Sequence, residues 1–155
     1  MKTISIYTKG AFREVEYTRK NVLGEYEVFT VPEFKIIAGI GYRRLKMLGI
    51  FNKYEKIIVV NERFHTKTRL EKLFILFHEI GHDKKGHLNS DAYGRVLRQE
   101  LEADAYAADQ LIRKYRVSPY EVLTILHSSL LDADGKLSKE GCIRVKRLEK
   151  HLSLQ

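Results

Sequence analysis

The segment His78-Glu79-Ile80-Gly81-His82 carries the residue types of a hydrolytic metal site. In an α-helix, residues four apart lie on one face, so His78 and His82 can direct two imidazoles at one metal ion. Glu79, about 100° round the helix, stays off the metal and can take a proton from a water molecule that the metal activates. The segment therefore predicts a zinc site with Glu79 as the catalytic base.

The surroundings of this segment argue against a chance match. With this composition, a His-Glu-x-x-His segment is expected about 0.02 times in a random chain of the same length. Apolar residues cover nearly every side of the expected helix, namely Leu70, Leu73, Phe74, Ile75, Leu76, Phe77 and Ile80. We expect such a helix to be buried, and imidazoles and carboxylates inside it need a strong partner such as a metal ion.

A second helix, which we expect to end at about residue 115, offers the third ligand. At about 100° per residue, Glu100 and Asp104 fall inside its apolar arc. Glu102 falls on the opposite, solvent-facing side, together with Arg98, Tyr106 and Asp109. Because a buried carboxylate needs compensation, we predict that Glu100 is the third metal ligand and that Asp104 accepts the free N–H of a ligand histidine. Two alternatives remain open, namely pairing of both carboxylates with Lys or Arg, and His87 as ligand in place of Glu100.

Local signals predict the helices that would position these residues. The spacing of Thr68 and Glu71 is that of a capping box, and Gly86 is a suitable end for the helix that carries the motif. Asp91 is expected to cap the second helix, and Ser118-Pro119-Tyr120-Glu121 to begin a third. A basic helix is expected to follow, from about Lys139 to Leu152.

Residues 1 to about 65 form a strand-rich half. Short β-branched and aromatic runs predict strands at Thr3 to Tyr7, Tyr26 to Val31 and Lys56 to Asn61. The stretch 34–48 is compatible with a helix opened by Pro32 or with two strands and a turn. With the helical half, residues 66–155, this predicts an α+β fold in which a small twisted, mainly antiparallel sheet packs on the motif helix and on further C-terminal helices.

Composition narrows the class of protein. The 155 residues are 44% hydrophobic and 31% charged, which suits one globular domain over residues 1–155. No apolar run is long enough to cross a bilayer and the start is too polar for a signal peptide, so we expect a cytoplasmic protein with no membrane partner. The lone Cys142 excludes a cysteine-based metal site. The net charge of +8 is dispersed, so we do not expect nucleic acid as the main partner, and the oligomeric state stays open.

With Glu100-Leu101-Glu102-Ala103-Asp104 added to the first segment, the pattern resembles the HExxH plus ExxAD signature of gluzincin zinc metallopeptidases. It is most similar to the ImmA/IrrE family, over about residues 55–112. There a strand ending in asparagine precedes the motif helix, as in Ile57-Ile58-Val59-Val60-Asn61, and a Gly-His pair follows it, as in Gly86-His87. Members commonly come with a helix-turn-helix partner or domain, which we do not find in this sequence, and some cleave a transcriptional repressor.

The resemblance implies a zincin-like fold, with one zinc ion per chain held by His78, His82 and Glu100. It also implies a protein or peptide substrate lying in extended form along the strand at 56–61 as a sheet edge. Candidates for an oxyanion or substrate contact are His87, Tyr93 and Tyr106. The expected function is a zinc-dependent endopeptidase that cleaves a regulatory protein such as a repressor of a mobile element. The alternative is a zinc-binding regulatory protein of the same fold that acts through protein–protein contacts, with little or no proteolysis.

Overall fold

The computed structural model describes residues 2–8, 11–45, 53–89 and 96–154. The chain divides into two compact units, Met1–Lys67 and Thr68–Gln155, close to the boundary predicted between the strand-rich and helical halves. Among the described residues, the first unit holds a six-stranded, mostly antiparallel sheet and the second holds four α-helices. The predicted α+β class is therefore confirmed.

The strands of the first unit are β1 (Thr3–Thr8), β2 (Ala11–Glu16), β3 (Arg19–Leu23), β4 (Tyr26–Thr30), β5 (Ala38–Leu45) and β6 (Lys53–Val60). Their order across the sheet is β2-β1-β5-β6-β4-β3, and only the β4–β6 pair is parallel in this part of the chain. Inward side chains two residues apart, such as Ile4 and Ile6 on β1 or Ile57 and Val59 on β6, share one face of the sheet, as the period of a pleated strand requires. They form one core of Ile4, Ile6, Val15, Phe29, Val31, Ile57 and Val59.

Strand β5 decides between the two structures considered for the stretch 34–48. The segment Ala38–Leu45 is one strand and not a helix, and residues 46–48 lie outside the described ranges. β5 pairs with β1 on one side, where Ile6 lies opposite Arg43, and with β6 on the other, where Ile40 lies opposite Ile58. Pairing on both sides thus overrides the weak strand preference of its glycines.

Strand β6 lies inside the sheet, so the expectation that a peptide lies along it as an edge is wrong. Along Ile57–Val60 it pairs in parallel with β4 and antiparallel with β5, and both rows of backbone groups are occupied. The physical reason is visible in the sequence, because all four residues of this run are apolar and buried. A continuous apolar run is typical of a strand covered on both faces.

The helices of the second unit are α1 (Arg69–Lys84), α2 (Leu97–Tyr115), α3 (Pro119–Leu130) and α4 (Lys139–His151). The side chain of Thr68 accepts a hydrogen bond from the Glu71 backbone N–H at 3.3 Å, and Ser118 accepts one from that of Glu121 at 3.2 Å. These bonds satisfy amides that have no partner inside the helix and confirm both predicted starts. No helix in the described ranges has both the length and the apolar character needed to cross a membrane.

The predicted end of α1 is confirmed, whereas the predicted start of α2 is not. Gly86 follows the end of α1 with φ +76°, a left-handed conformation that glycine adopts without strain, as expected for a helix stop. Helix α2 begins at Leu97 and its N-cap is Val96, which makes no side-chain capping bond. Asp91, predicted as the cap, lies outside the described residues and before this start.

Candidate metal centre

Helix α1 brings His78 and His82 onto one face, four residues apart. Their Nε2 atoms lie 3.1 Å apart. The His82 side chain is fully buried, and that of His78 is 11% exposed. Glu79, between them in sequence, is also buried, and its charge reaches His78, whose pKa it helps to raise. The helix therefore presents two imidazole nitrogens to one point, with a carboxylate beside them.

Helix α2 adds the Glu100 carboxylate to the same point. Its Oε2 lies 3.2 Å from His78 Nε2, and its Oε1 lies 3.1 Å from His82 Nε2. Zinc ligands at about 2.0–2.1 Å from the ion, arranged tetrahedrally, lie about 3.3 Å from one another. The three side chains offer atoms within 4.8 Å of one another and could hold a metal ion. These distances place the Glu100 carboxylate beside the two histidines, on the side of α2 that the helical projection indicated.

A close approach of α1 and α2 at Gly81 permits this geometry. A Cβ atom added to Gly81 would lie 3.1 Å from Tyr106 Cβ and 3.2 Å from Ala103 Cα, so a larger residue would push the helices apart. Glu100 lies one turn before Ala103 on the same side of α2 and is carried toward the histidines. Tyr106, placed by the projection on the solvent side, instead packs half-buried at this contact.

The second nitrogen of His78 is bonded to Asp104. His78 Nδ1 donates to Asp104 Oδ1 at 2.9 Å, because an ionised carboxylate can only accept. Asp104 is almost fully buried, and it also accepts two hydrogen bonds of 2.8 Å from the Arg144 guanidinium of α4. Arg144 Nη1 lies 3.7 Å from Glu100 Oε2 as well. Asp104 thus holds His78 with Nε2 directed at the cluster. Its contacts combine the predicted role, accepting from a histidine, with the alternative role, pairing with an arginine.

Arg144 was not predicted from the sequence, although a signal for it exists. It lies three residues after Gly141 and four before Leu148, both of which are buried on α4. The helical projection that placed Glu100 on α2 would have placed Arg144 on the buried side of α4.

Charges within the cluster shift several pKa values. Burial lowers the pKa of the His78 imidazole, but its hydrogen bonds to Asp104 and Glu100 and the nearby carboxylate charges outweigh burial and raise the pKa to about 9. Burial raises the pKa of Glu100, yet the hydrogen bonds and charges of His78 and His82 hold it well below its usual range. Burial likewise opposes ionisation of Asp104, but Arg144 and His78 keep its pKa low. The proton on His78 offsets the negative charge of these carboxylates in the metal-free protein. A bound metal ion would take the place of this proton.

His87 lies behind His82 and not in the cluster. Its Nδ1 is 2.8 Å from His82 Nδ1, and its Nε2 is 2.7 Å from Glu102 Oε2. The alternative that His87 replaces Glu100 as ligand therefore does not fit this geometry. Glu102 also accepts a hydrogen bond of 2.9 Å from Arg98, and its side chain is only 34% exposed. Glu102 is more exposed than Glu100, whose side chain is 19% exposed, as the helical projection predicted. What the projection did not predict is that a buried histidine beyond the end of α1 donates to Glu102.

The structure places the other candidate residues as follows. Tyr106 is at the contact with Gly81, and Tyr93 lies outside the described residues.

Comparisons of this chain with protein-family models, with curated proteins and with solved structures gave no match. In the geometry of the site, two imidazoles and one carboxylate converge, and the buried Glu79 lies on the same helix as the imidazoles. This is a donor set that suits zinc in hydrolytic sites.

Proposed function

We propose that this protein is a zinc-dependent endopeptidase, with one zinc ion per chain held by His78, His82 and Glu100. The observation that carries the proposal is the convergence of the two Nε2 atoms and the Glu100 carboxylate at 3.1–3.2 Å. The same helix carries the buried Glu79, whose charge acts on His78. Three ligands of this kind leave a tetrahedral position for water or substrate, as catalytic zinc sites do.

Glu79 is the residue that moves protons in this proposal. When bound, zinc supplies Lewis acidity to the scissile carbonyl and lowers the pKa of a water molecule beside Glu79. Glu79 takes a proton from this water as the water oxygen bonds to the carbonyl carbon. It then gives the proton to the amide nitrogen as the C–N bond breaks. Burial of Glu79 keeps bulk water from competing for that proton.

The substrate and the setting are also proposed. From the resemblance to the ImmA/IrrE family, we infer that the substrate is a regulatory protein, such as a transcriptional repressor of a mobile element. The exposed free thiol of Cys142 suits a reducing compartment, which supports a cytoplasmic location.

The ligand set is tested by zinc content and affinity. We expect about one zinc per chain in the wild-type protein and a loss of affinity of at least about 100-fold in Glu100→Ala, because a ligand is removed. Glu121→Ala, which removes an exposed carboxylate at the start of α3, is the matched control and should bind zinc as the wild type does. Equal zinc content in Glu100→Ala and the wild type would exclude Glu100 as a ligand.

The reaction is tested by Glu79→Gln, with peptide-library cleavage measured on the same zinc-loaded preparations. This variant should keep its zinc and lose cleavage by about 100-fold or more, because the amide cannot take the proton. Cleavage by Glu79→Gln at the wild-type rate would remove Glu79 from its role as base. Zinc binding by the wild type without cleavage of any peptide or protein offered would favour the regulatory, non-proteolytic function.

A further inference from the structure

His82 is the most deeply buried of the three proposed ligands, and its second nitrogen meets another imidazole. His82 Nδ1 lies 2.8 Å from His87 Nδ1, and both side chains are within 3% of full burial. His87 Nε2 lies 2.7 Å from Glu102 Oε2, and Glu102 Oε1 accepts from Arg98 at 2.9 Å. A chain of hydrogen bonds therefore runs from His82 through His87 to a carboxylate near the surface.

The turn after α1 builds this chain. Gly86 has φ +76°, and the short 3-10 helix His87–Asn89 follows it directly. This left-handed residue lets His87 lie against His82, five positions earlier, where a continued α-helix would place it on another face. The Gly-His pair after the motif helix thus has a physical reason to be there.

The chain has one consistent arrangement of hydrogen atoms for a metal-binding His82. The Glu102 carboxylate binds an arginine and is an acceptor only, so His87 Nε2 must carry a hydrogen atom and donate. In a neutral His87, Nδ1 then has a lone pair and accepts from His82 Nδ1–H. His82 Nε2 is left without hydrogen, and it is the nitrogen that faces Glu100 at 3.1 Å.

We infer that His87 and Glu102 are positioning residues that hold His82 in the tautomer able to bind zinc. The inference rests on the proposed zinc centre and assigns to His87 neither a ligand role nor an oxyanion contact. Asp104 accepts directly from His78 Nδ1 and so fixes the tautomer of His78. His87 accepts from His82 Nδ1 in the same way and is itself held by Glu102.

The test compares two substitutions at the same position in the full chain. In His87→Gln the amide oxygen can accept from His82 and the amide N–H₂ can donate to Glu102, so the direction of both bonds is kept. His87→Leu fills similar space and keeps neither bond. We expect the zinc dissociation constant, measured by competition with a chelator, to rise about 10–100-fold in His87→Leu and to stay within about threefold of wild type in His87→Gln. Thermal unfolding of the metal-free proteins identifies any variant that fails to fold.

A spectroscopic measurement on the zinc-loaded wild-type protein tests the same inference without substitution. Nitrogen-15 NMR of the imidazoles should show His87 with hydrogen on Nε2 and none on Nδ1, and His82 with hydrogen on Nδ1. Hydrogen on His87 Nδ1 would overturn the inference, and so would equal zinc affinity in the wild type and His87→Leu. Equal losses in His87→Gln and His87→Leu would also overturn it. Absence of zinc binding by the wild type would instead overturn the zinc centre itself.

Discussion

The two ligand histidines of α1 are supported in different ways. The His78 side consists of Asp104 and Arg144, and the His82 side consists of His87, Glu102 and Arg98. On the His78 side the first partner is a carboxylate whose side chain is 2% exposed. On the His82 side the first partner is an imidazole, and the carboxylate behind it is 34% exposed.

The two sides therefore act differently: the His78 side changes the charge of its histidine, and the His82 side orients its histidine. A buried carboxylate bonded to His78 favours the protonated imidazole, and the pKa of His78 rises to about 9 even though burial opposes it. The imidazole bonded to His82 acts instead through the direction of its hydrogen bond, which fixes which nitrogen of His82 carries hydrogen. The His78 side should therefore dominate the stability of the metal-free protein, while the His82 side should act chiefly on metal affinity.

The largest effect is expected from Asp104→Ala. Because it removes a buried carboxylate and leaves the partly buried Arg144 guanidinium without its main partner, it should lower the free energy of unfolding by about 3–5 kcal/mol in metal-free protein. The matched change on the other side, Glu102→Ala, should cost about 1 kcal/mol or less, since that carboxylate is partly solvated. Urea unfolding of both variants with a chelator present measures the difference. Equal losses would contradict the division between the two sides.

A smaller effect is expected from pH in the metal-free protein. The pKa of His78 is raised from 6.5 to about 9 in the folded state, so its contribution is fully present below pH 6.5 and is lost as the pH rises to about 9. The loss should reach at most about 3 kcal/mol, from 1.36 kcal/mol per pH unit. Urea unfolding at a series of pH values measures it, with Asp104→Asn as the comparison because it removes the charge that favours the proton. A wild-type profile no steeper than that of Asp104→Asn would show that Asp104 does not hold this proton.

The smallest effect is expected at the outer end of the His82 side. The Arg98 side chain is 73% exposed, and its pair with Glu102 is the four-residue spacing of a helix surface. Arg98→Ala should therefore change the free energy of unfolding by less than about 0.5 kcal/mol and leave zinc affinity within about threefold of wild type. Thermal unfolding and chelator competition would show this. A tenfold loss of zinc affinity would mean that Arg98 belongs to the positioning chain.

The parts that could be predicted from sequence depend on short-range signals. The starts of α1 and α3 follow from hydroxyl side chains three residues before a glutamate, which act within one turn. The placement of Glu100 followed from the helical period, because an acidic residue on an apolar face needs compensation. Each of these signals lies within a single helix and its cap.

The parts that could not be predicted depend on pairing between distant residues. Strands β2 and β3 are mostly exposed and carry few inward apolar side chains, so their alternation is weak and they form through pairing with β1 and β4. The hydrogen bond between Glu102 and His87 does not follow from the helical projection, because the projection covers one helix and His87 lies beyond the end of another. The inward side of α4 that carries Arg144 follows from such a projection, but the pairing of Arg144 with Asp104, 40 residues away, does not.

The Asp104 carboxylate has a consequence for how the molecule folds. It binds residues of α1 and α4 that are 26 residues before it and 40 residues after it, so its bonds are complete only when three helices have assembled. Contacts between residues so far apart in sequence are slow to form. As the chain is synthesised, α4 emerges last of the three, and His78 therefore gains its final environment only near the end of folding. Full metal affinity should then report completed folding of this unit.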